Sequence, residues 1–306
     1  MSARPARPVR LGPRSVAALA LITVIGVIAF GWPLLADGAS AVAGRAQDAP
    51  WLFAALLPLL VAVVVATIAD CGMDAKAVAM LGVLAAVGAA LRPLGAGTAG
   101  LEPMFFLMVL SGRVLGPGFG FVLGAVTMFA SALLTGGVGP WMPFQMLAMG
   151  WFAMGAGLLP DRRGKRDARV EPDARPRPAG GAKARSLLRG RGEVLMLAGY
   201  GAVASFGYGT AMNLQGWVIL QGGMSSGISF HPGDPVHENL VRFLAYCAAT
   251  SLGWDLGRAV LTVVLTVTIG STVLKALRRA TRRANFEAQV TFEGAEGSGE
   301  GPARVR

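Results

Sequence analysis

Apolar stretches of about 20 residues, with few charges or none, recur along this chain, and a helix of that length crosses about 30 Å of hydrocarbon. The stretches are Ser15–Leu35, Trp51–Ala69, Ala75–Leu91, Pro103–Leu115, Phe119–Leu134, Trp141–Leu159, Glu193–Leu220 and a final one inside Asn239–Leu274. Pro103–Leu115 is short for a span and must tilt little or borrow its flanks. A transmembrane barrel needs alternating strands of about ten residues, and these runs do not alternate. The expected fold is therefore an all-α polytopic membrane protein. Composition agrees: 54% of the residues are hydrophobic and 15% charged.

A basic start followed by Ser15–Leu35 also fits a signal peptide, and Ala36-Asp37-Gly38-Ala39 resembles a cleavage site. The apolar run is longer than a signal core, so a retained helix is expected.

The net charge of +11 suggests nucleic acid until its distribution is considered. Residues 160–192 hold 11 Lys/Arg against 4 Asp/Glu, and residues 1–14 hold 4 Arg and no acid. Arg278, Arg279, Arg282 and Arg283 follow the last apolar run, whereas loop 222–238 has no Lys or Arg and loop 36–50 only Arg45. This is the positive-inside pattern of a membrane protein. It predicts both termini and residues 160–192 in the cytoplasm of a plasma-membrane protein, and its basic tracts suit anionic lipid. No nucleic-acid fold signature accompanies the charge.

Parity then limits the C-terminal half. Six crossings precede residue 160, so only two can follow residue 192. Glu193–Leu220 is one. Within Asn239–Leu274 we expect Asn239–Ser251 at the outer surface or re-entering, a break at Gly253, and Trp254–Leu274 spanning. The Pro-, Gly- and Arg-rich linker 160–192 is expected to be disordered to about Ala182, with Ser186–Arg191 extending the next helix. Residues 287–306 form a polar tail. Cys71 and Cys247 fall on opposite sides, form no metal-ligand spacing and read as small apolar fillers.

Between two apolar runs stands Gly136-Gly137-Val138-Gly139-Pro140-Trp141-Met142-Pro143-Phe144-Gln145. Its Gly and Pro residues make a turn at a membrane surface. Gln145 carries an amide into the next run, where it needs a partner. The order Leu91-Arg92-Pro93, Glu102-Pro103, Gly112-Arg113-Val114-Leu115-Gly116-Pro117-Gly118-Phe119-Gly120, then this turn, then Thr250-Ser251-Leu252-Gly253-Trp254-Asp255-Leu256-Gly257-Arg258 resembles the substrate-binding (S) component of energy-coupling-factor (ECF) vitamin importers.

The resemblance covers Lys76 to about Phe286. It implies a six-helix core: helices 1–4 over residues 75–159 and helices 5–6, with an outer loop, over 193–286. Two extra transmembrane helices over residues 15–70 lie outside it. It also implies capture of a water-soluble vitamin or precursor at the outer face, with a cobalamin-type compound as the leading expectation. Release would require a transmembrane coupling subunit and ATP-hydrolysing subunits. The chain has no Gly-x-x-x-x-Gly-Lys-Ser/Thr loop, so another chain would hydrolyse the ATP. No cofactor or metal is expected, and no enzyme activity.

Gly82, Ala86 and Ala90 recur every four residues, as do Ala85 and Ala89; such spacing lets helices approach closely in lipid. The family docks an Ala-x-x-x-Ala face of its first core helix on the coupling subunit, which implies that role for Ala85, Ala86, Ala89 and Ala90. Internal packing is the alternative.

The expected solute site gathers Trp141, Gln145, Asn213, Trp217, Trp254, Asp255 and Arg92 at one depth. Asn213 and Trp217 share a helix face. Amides and indoles there suit a flat or amide-rich solute, although interfacial anchoring also explains the tryptophans. Arg92 and Glu102 flank a Gly-rich outer loop and either pair with each other or meet a ligand. Asp255 and Arg258, three apart, either contact solute or form a structural ion pair.

Two other function classes have some sequence signal to answer. Gly223-Met-Ser225-Ser-Gly227 matches the Gly-x-Ser-x-Gly of serine hydrolases, with His231, His237 and Asp234 nearby, but it lies in a loop and not on a strand-to-helix elbow. A stand-alone secondary transporter needs internal repeats or mid-membrane acids, and neither is found.

Overall fold

The computed structural model describes residues 12–35, 56–70, 73, 75–95, 99–160, 179–219, 225 and 227–284. Every regular element among them is helical: α1 (Pro13–Leu35), α2 (Leu56–Asp70), α3 (Ala75–Leu91), a 3-10 turn at Pro93–Gly95, α4 (Met104–Leu115), α5 (Pro117–Thr135), α6 (Met142–Leu158), α7 (Ala179–Ile219), α8 (Val236–Thr250), α9 (Leu252–Thr268) and α10 (Gly270–Ala284). The chain is an all-α polytopic membrane protein.

Four of these helices are long and apolar enough to cross a membrane: α1, α3 with its 3-10 extension, α5 and the Gly190–Val218 part of α7. The bent pair α9–α10 makes a fifth if counted as one span. That is fewer than the eight expected stretches. α4, with twelve residues, rises only about 18 Å. It does not need to face lipid, because nearly every residue from Met104 to Leu115 is buried. It is the axis of the bundle, with α3, α5, α6, α7, α9 and α10 around it.

α5 and α6 form the most intimate pair. A Cβ on Gly124 would strike the Met149 carbonyl, and one on Gly112 of α4 the Ala153 carbonyl. Small residues at such crossings let backbones meet, which replaces the hydrophobic drive that lipid removes.

α1 packs into the bundle. Trp151 Nε1 on α6 donates to Thr23 Oγ1 at 3.1 Å. Phe30 meets Phe144 edge-on, ring centroids 5.0 Å apart.

The last third departs from the expected layout. The first break lies at Ser251, and a second at Ile269 turns α10 by 70° from α9. Trp254–Leu274 is thus not one straight span. The run Thr266-Val267-Thr268-Ile269 is β-branched throughout, a poor helix former. Thr268 Oγ1 also bonds back to the Val264 carbonyl at 2.7 Å, an arrangement that bends helices. α7 begins at Ala179, earlier than the expected order–disorder boundary near Ala182. The rest of that linker, Cys71, loop 36–50 and the tail after Ala284 lie outside the described residues.

Candidate functional site

Polar side chains collect at the two ends of the bundle and form two different knots. At one end Arg113 of α4 donates to Glu193 Oε1 of α7 at 3.0 Å and to the Leu159 carbonyl at 2.8 Å. Arg278 of α10 reaches the same Glu193 oxygen at 2.6 Å. This knot ties α4, α7 and α10 to the residue that follows α6, and it lies beside the basic segments that the charge pattern assigns to the cytoplasm.

The opposite end holds most of the expected site residues. Arg92, just past α3, donates through Nη2 to Gln145 Oε1 of α6 at 3.1 Å and through Nη1 to Ser131 Oγ of α5 at 3.4 Å. The Gly136–Trp141 turn stands above them. Gly136 adopts φ 68°, a left-handed conformation that ends α5, and its neighbour's N–H bonds back to the Ala132 carbonyl at 2.9 Å. Trp141 lies at the rim, partly exposed, and its indole N–H donates to the Gly137 carbonyl at 3.2 Å.

Glu102 does not turn to Arg92. It pairs with Arg258 of α9, Nε to Oε2 at 3.1 Å. Arg258 also holds Asp255 at 2.7 Å. Its guanidinium carbon lies 4.8 Å from the Phe105 ring centroid and 5.1 Å from that of Tyr208, so aromatic faces complete its surroundings. Asp255 and Arg258 are therefore an ion pair locked into the structure, one of the two roles open to them from the sequence. Both are buried, and Trp254 beside them is exposed. Gly100, at φ 85°, lies so close to the Trp254 carbonyl that no Cβ would fit, which fixes the loop onto the head of α9.

Asn213 of α7 accepts from Ser251 Oγ at 2.7 Å and donates to Cys247 Sγ at 3.3 Å. Burial holds the Cys247 thiol above its ordinary pKa, so it stays protonated near neutrality.

Two expectations need correction. Trp217 does not line the site: its side chain is 0% exposed, packed among Phe230, Phe243 and Tyr246. Its indole N–H donates to the Ile228 carbonyl at 2.7 Å, so it anchors the segment around residue 228 and α8. Neighbouring Cys247 leaves Asn213 at the edge of this cluster. The small-residue face of α3 also divides in two. Ala85 and Ala89 are buried within the bundle, where α3 lies along α5. Ala86 and Ala90 are exposed, and a Cβ on Gly82 would meet nothing within 4 Å. Successive residues of a helix point about 100° apart, so adjacent alanines cannot share one face.

Ser225 is an exposed loop residue whose carbonyl accepts from Ile228 N–H at 3.1 Å and Ser229 Oγ at 2.9 Å. His231 Nδ1 lies 3.9 Å from Asp234. Neither stands on a strand-to-helix elbow.

The helices from α3 onward, the Arg92 turn and the α9 head are also what one family model describes. The model for the ECF transporter substrate-specific component matches residues 76–277. The chain belongs to this family. No curated protein and no solved structure matches it. Substrate-specific components are transporter subunits that work with a membrane coupling subunit and ATPase subunits, and those are the partner kinds for this chain. The match begins at the start of α3, so α1 and α2 lie outside the family core although α1 packs against it.

Sequence reasoning missed Ser131, Ser251, Tyr208 and the linkage of Glu102 to Arg258. Only Glu102 and Arg258 carried a signal, as charges beside apolar runs. Ser131 and Tyr208 are ordinary helix residues, and Ser251 an ordinary turn residue, until the bundle brings them together.

Proposed function

We propose that this S component captures a water-soluble vitamin or precursor at the outer face of the plasma membrane and delivers it to the coupling and ATPase subunits. The observation that carries the reading is the convergence of Arg92, Gln145 and Ser131, Asn213 and Ser251, and the Trp254–Asp255 head at one end of a family-matched bundle. Polar groups at this depth are costly without partners and suit a solute site. Trp141 stands at the rim. Trp217 acts from below, holding the segment around residue 228 and α8 over that end. Both termini and residues 160–192 face the cytoplasm in this reading, by the charge asymmetry. Gly82, Ala86 and Ala90 form the docking face for the coupling subunit, because small exposed residues admit a close helix approach. The cobalamin-type expectation has no residue behind it, since the family match names no solute.

Mass spectrometry of small molecules co-purifying with the full chain tests this. The expected result is one dominant water-soluble compound, whose affinity falls by about 1–2 kcal/mol in Asn213→Ala or Gln145→Ala, the range for a lost hydrogen bond to a buried polar group. A folded protein that carries no compound, or variants that bind like the parent, would refute the placement.

A further inference from the structure

The two arginines from α3 and α9 at the solute end, Arg92 and Arg258, are not equally satisfied. Arg258 is held by two carboxylates, Asp255 at 2.7 Å and Glu102 at 3.1 Å, and is enclosed by Phe105 and Tyr208. Arg92 is different. Its partners are a neutral amide oxygen and a neutral hydroxyl, and among the described residues no carboxylate pairs with it. It is only partly buried.

The partners of Arg92 also retain unused donors. A guanidinium only donates, so Gln145 must present Oε1 to it, and the amide Nε2–H₂ must then point away. Among the described residues no acceptor takes that NH₂ group. Ser131 accepts from Arg92, which leaves its own O–H to donate, and no described acceptor takes it either. Guanidinium, amide and hydroxyl are thus brought into contact from α3, α6 and α5, and each keeps an N–H or O–H to donate. Donors of this kind without an acceptor match a planar or tetrahedral anion, and arginine recognises carboxylate and phosphate with paired N–H groups.

Resting on the capture reading above, we propose that the solute carries a carboxylate or phosphate group and that Arg92, Gln145 and Ser131 bind it. Glu102 lies near this point, its Cγ beside Gly95, but its charge is engaged by Arg258. That engagement stops Glu102 from neutralising Arg92. The Glu102–Arg258–Asp255 triad thereby keeps the anion site open as well as supporting the fold.

The test uses the full chain in detergent and titration calorimetry. The probes are three acid/neutral pairs, nicotinate/nicotinamide, pantothenate/panthenol and biotin/biotinamide, together with the co-purifying compound before and after methyl esterification or phosphatase treatment. Whichever compound binds should bind at least about 10-fold more tightly in its anionic form, the range for a hydrogen bond to a charged group. Arg92→Gln should reduce that preference to within about 3-fold, and Arg92→Lys should restore part of it. Carboxylate and phosphate are told apart by which treatment abolishes binding. A neutral form that binds the parent as well as its acid overturns the anion site and leaves the capture reading intact. This arm needs no variant, so it holds even if Arg92→Gln fails to fold. A folded parent that binds none of these compounds and carries none overturns both.

Discussion

Asp255 Oδ1 and Arg258 Nη1 lie 2.7 Å apart at the head of α9, one helical turn from each other, and both are buried. Glu102, from the loop before α4, closes on the same guanidinium. Replacing one carboxylate leaves the other in place, whereas removing the cation leaves buried Asp255 and half-buried Glu102 both without this partner. Asp255→Asn should therefore cost about 1.5–3 kcal/mol, the range for a hydrogen bond to a charged group. Arg258→Met should cost more, about 3–5 kcal/mol, because it leaves buried charge unpaired. Chemical unfolding in detergent gives the order; equal costs, or the reverse order, would mean that the pair is not the structural tie described.

Trp217 joins α7 to α8 and to Ile228 through ring contacts and one hydrogen bond. Trp217→Ala should cost about 3–5 kcal/mol, as for other large buried aromatics. Trp217→Phe keeps the ring but leaves the Ile228 carbonyl without its donor, at about 1–3 kcal/mol. Limited proteolysis should cut both variants faster between residues 225 and 235. Unchanged cleavage in the alanine variant would show that the ring does not hold this segment.

The divided face of α3 predicts opposite outcomes for neighbouring alanines. Ala85→Leu overpacks the contact with α5 and should lower stability by about 1–3 kcal/mol. Ala86→Leu or Ala90→Leu should leave stability nearly unchanged and reduce recovery of the coupling subunit in a pull-down, since a bulky side chain separates backbones that small ones bring together. Full recovery with Ala86→Leu would move the docking surface elsewhere.

Orientation is checked with single cysteines in a Cys-free background. Val138 is exposed in the turn above Arg92, and Lys275 is exposed on α10 near the Glu193 knot. A membrane-impermeant thiol reagent on intact cells should label Val138→Cys and spare Lys275→Cys until the cells are opened. The converse pattern would invert the topology.

Most of the helices before residue 236, and the distribution of charged segments, are legible in the sequence alone. A bilayer allows few alternatives to a helix for a long apolar run, so Ala75–Leu91 and Trp141–Leu159 are visible from hydropathy to within a residue or two. The sequence also carried the family, because the ordered glycine, proline and charged motifs are local patterns. The pairings come from how the helices pack. Arg258 could be matched locally to Asp255 at three residues' spacing, but its bond to Glu102 spans 156 positions and follows from how α4 packs on α9. Likewise, periodicity put Asn213 and Trp217 on one helix face, yet Trp217 is sealed by Phe230 and Phe243 from a later part of the chain. Which alanine of α3 faces the bundle, and where α9 bends at Ile269, depend on neighbours that hydropathy does not record. In lipid the hydrophobic term scarcely distinguishes one apolar face from another. Close packing and the pairing of a few buried polar groups make that choice, and both are long-range.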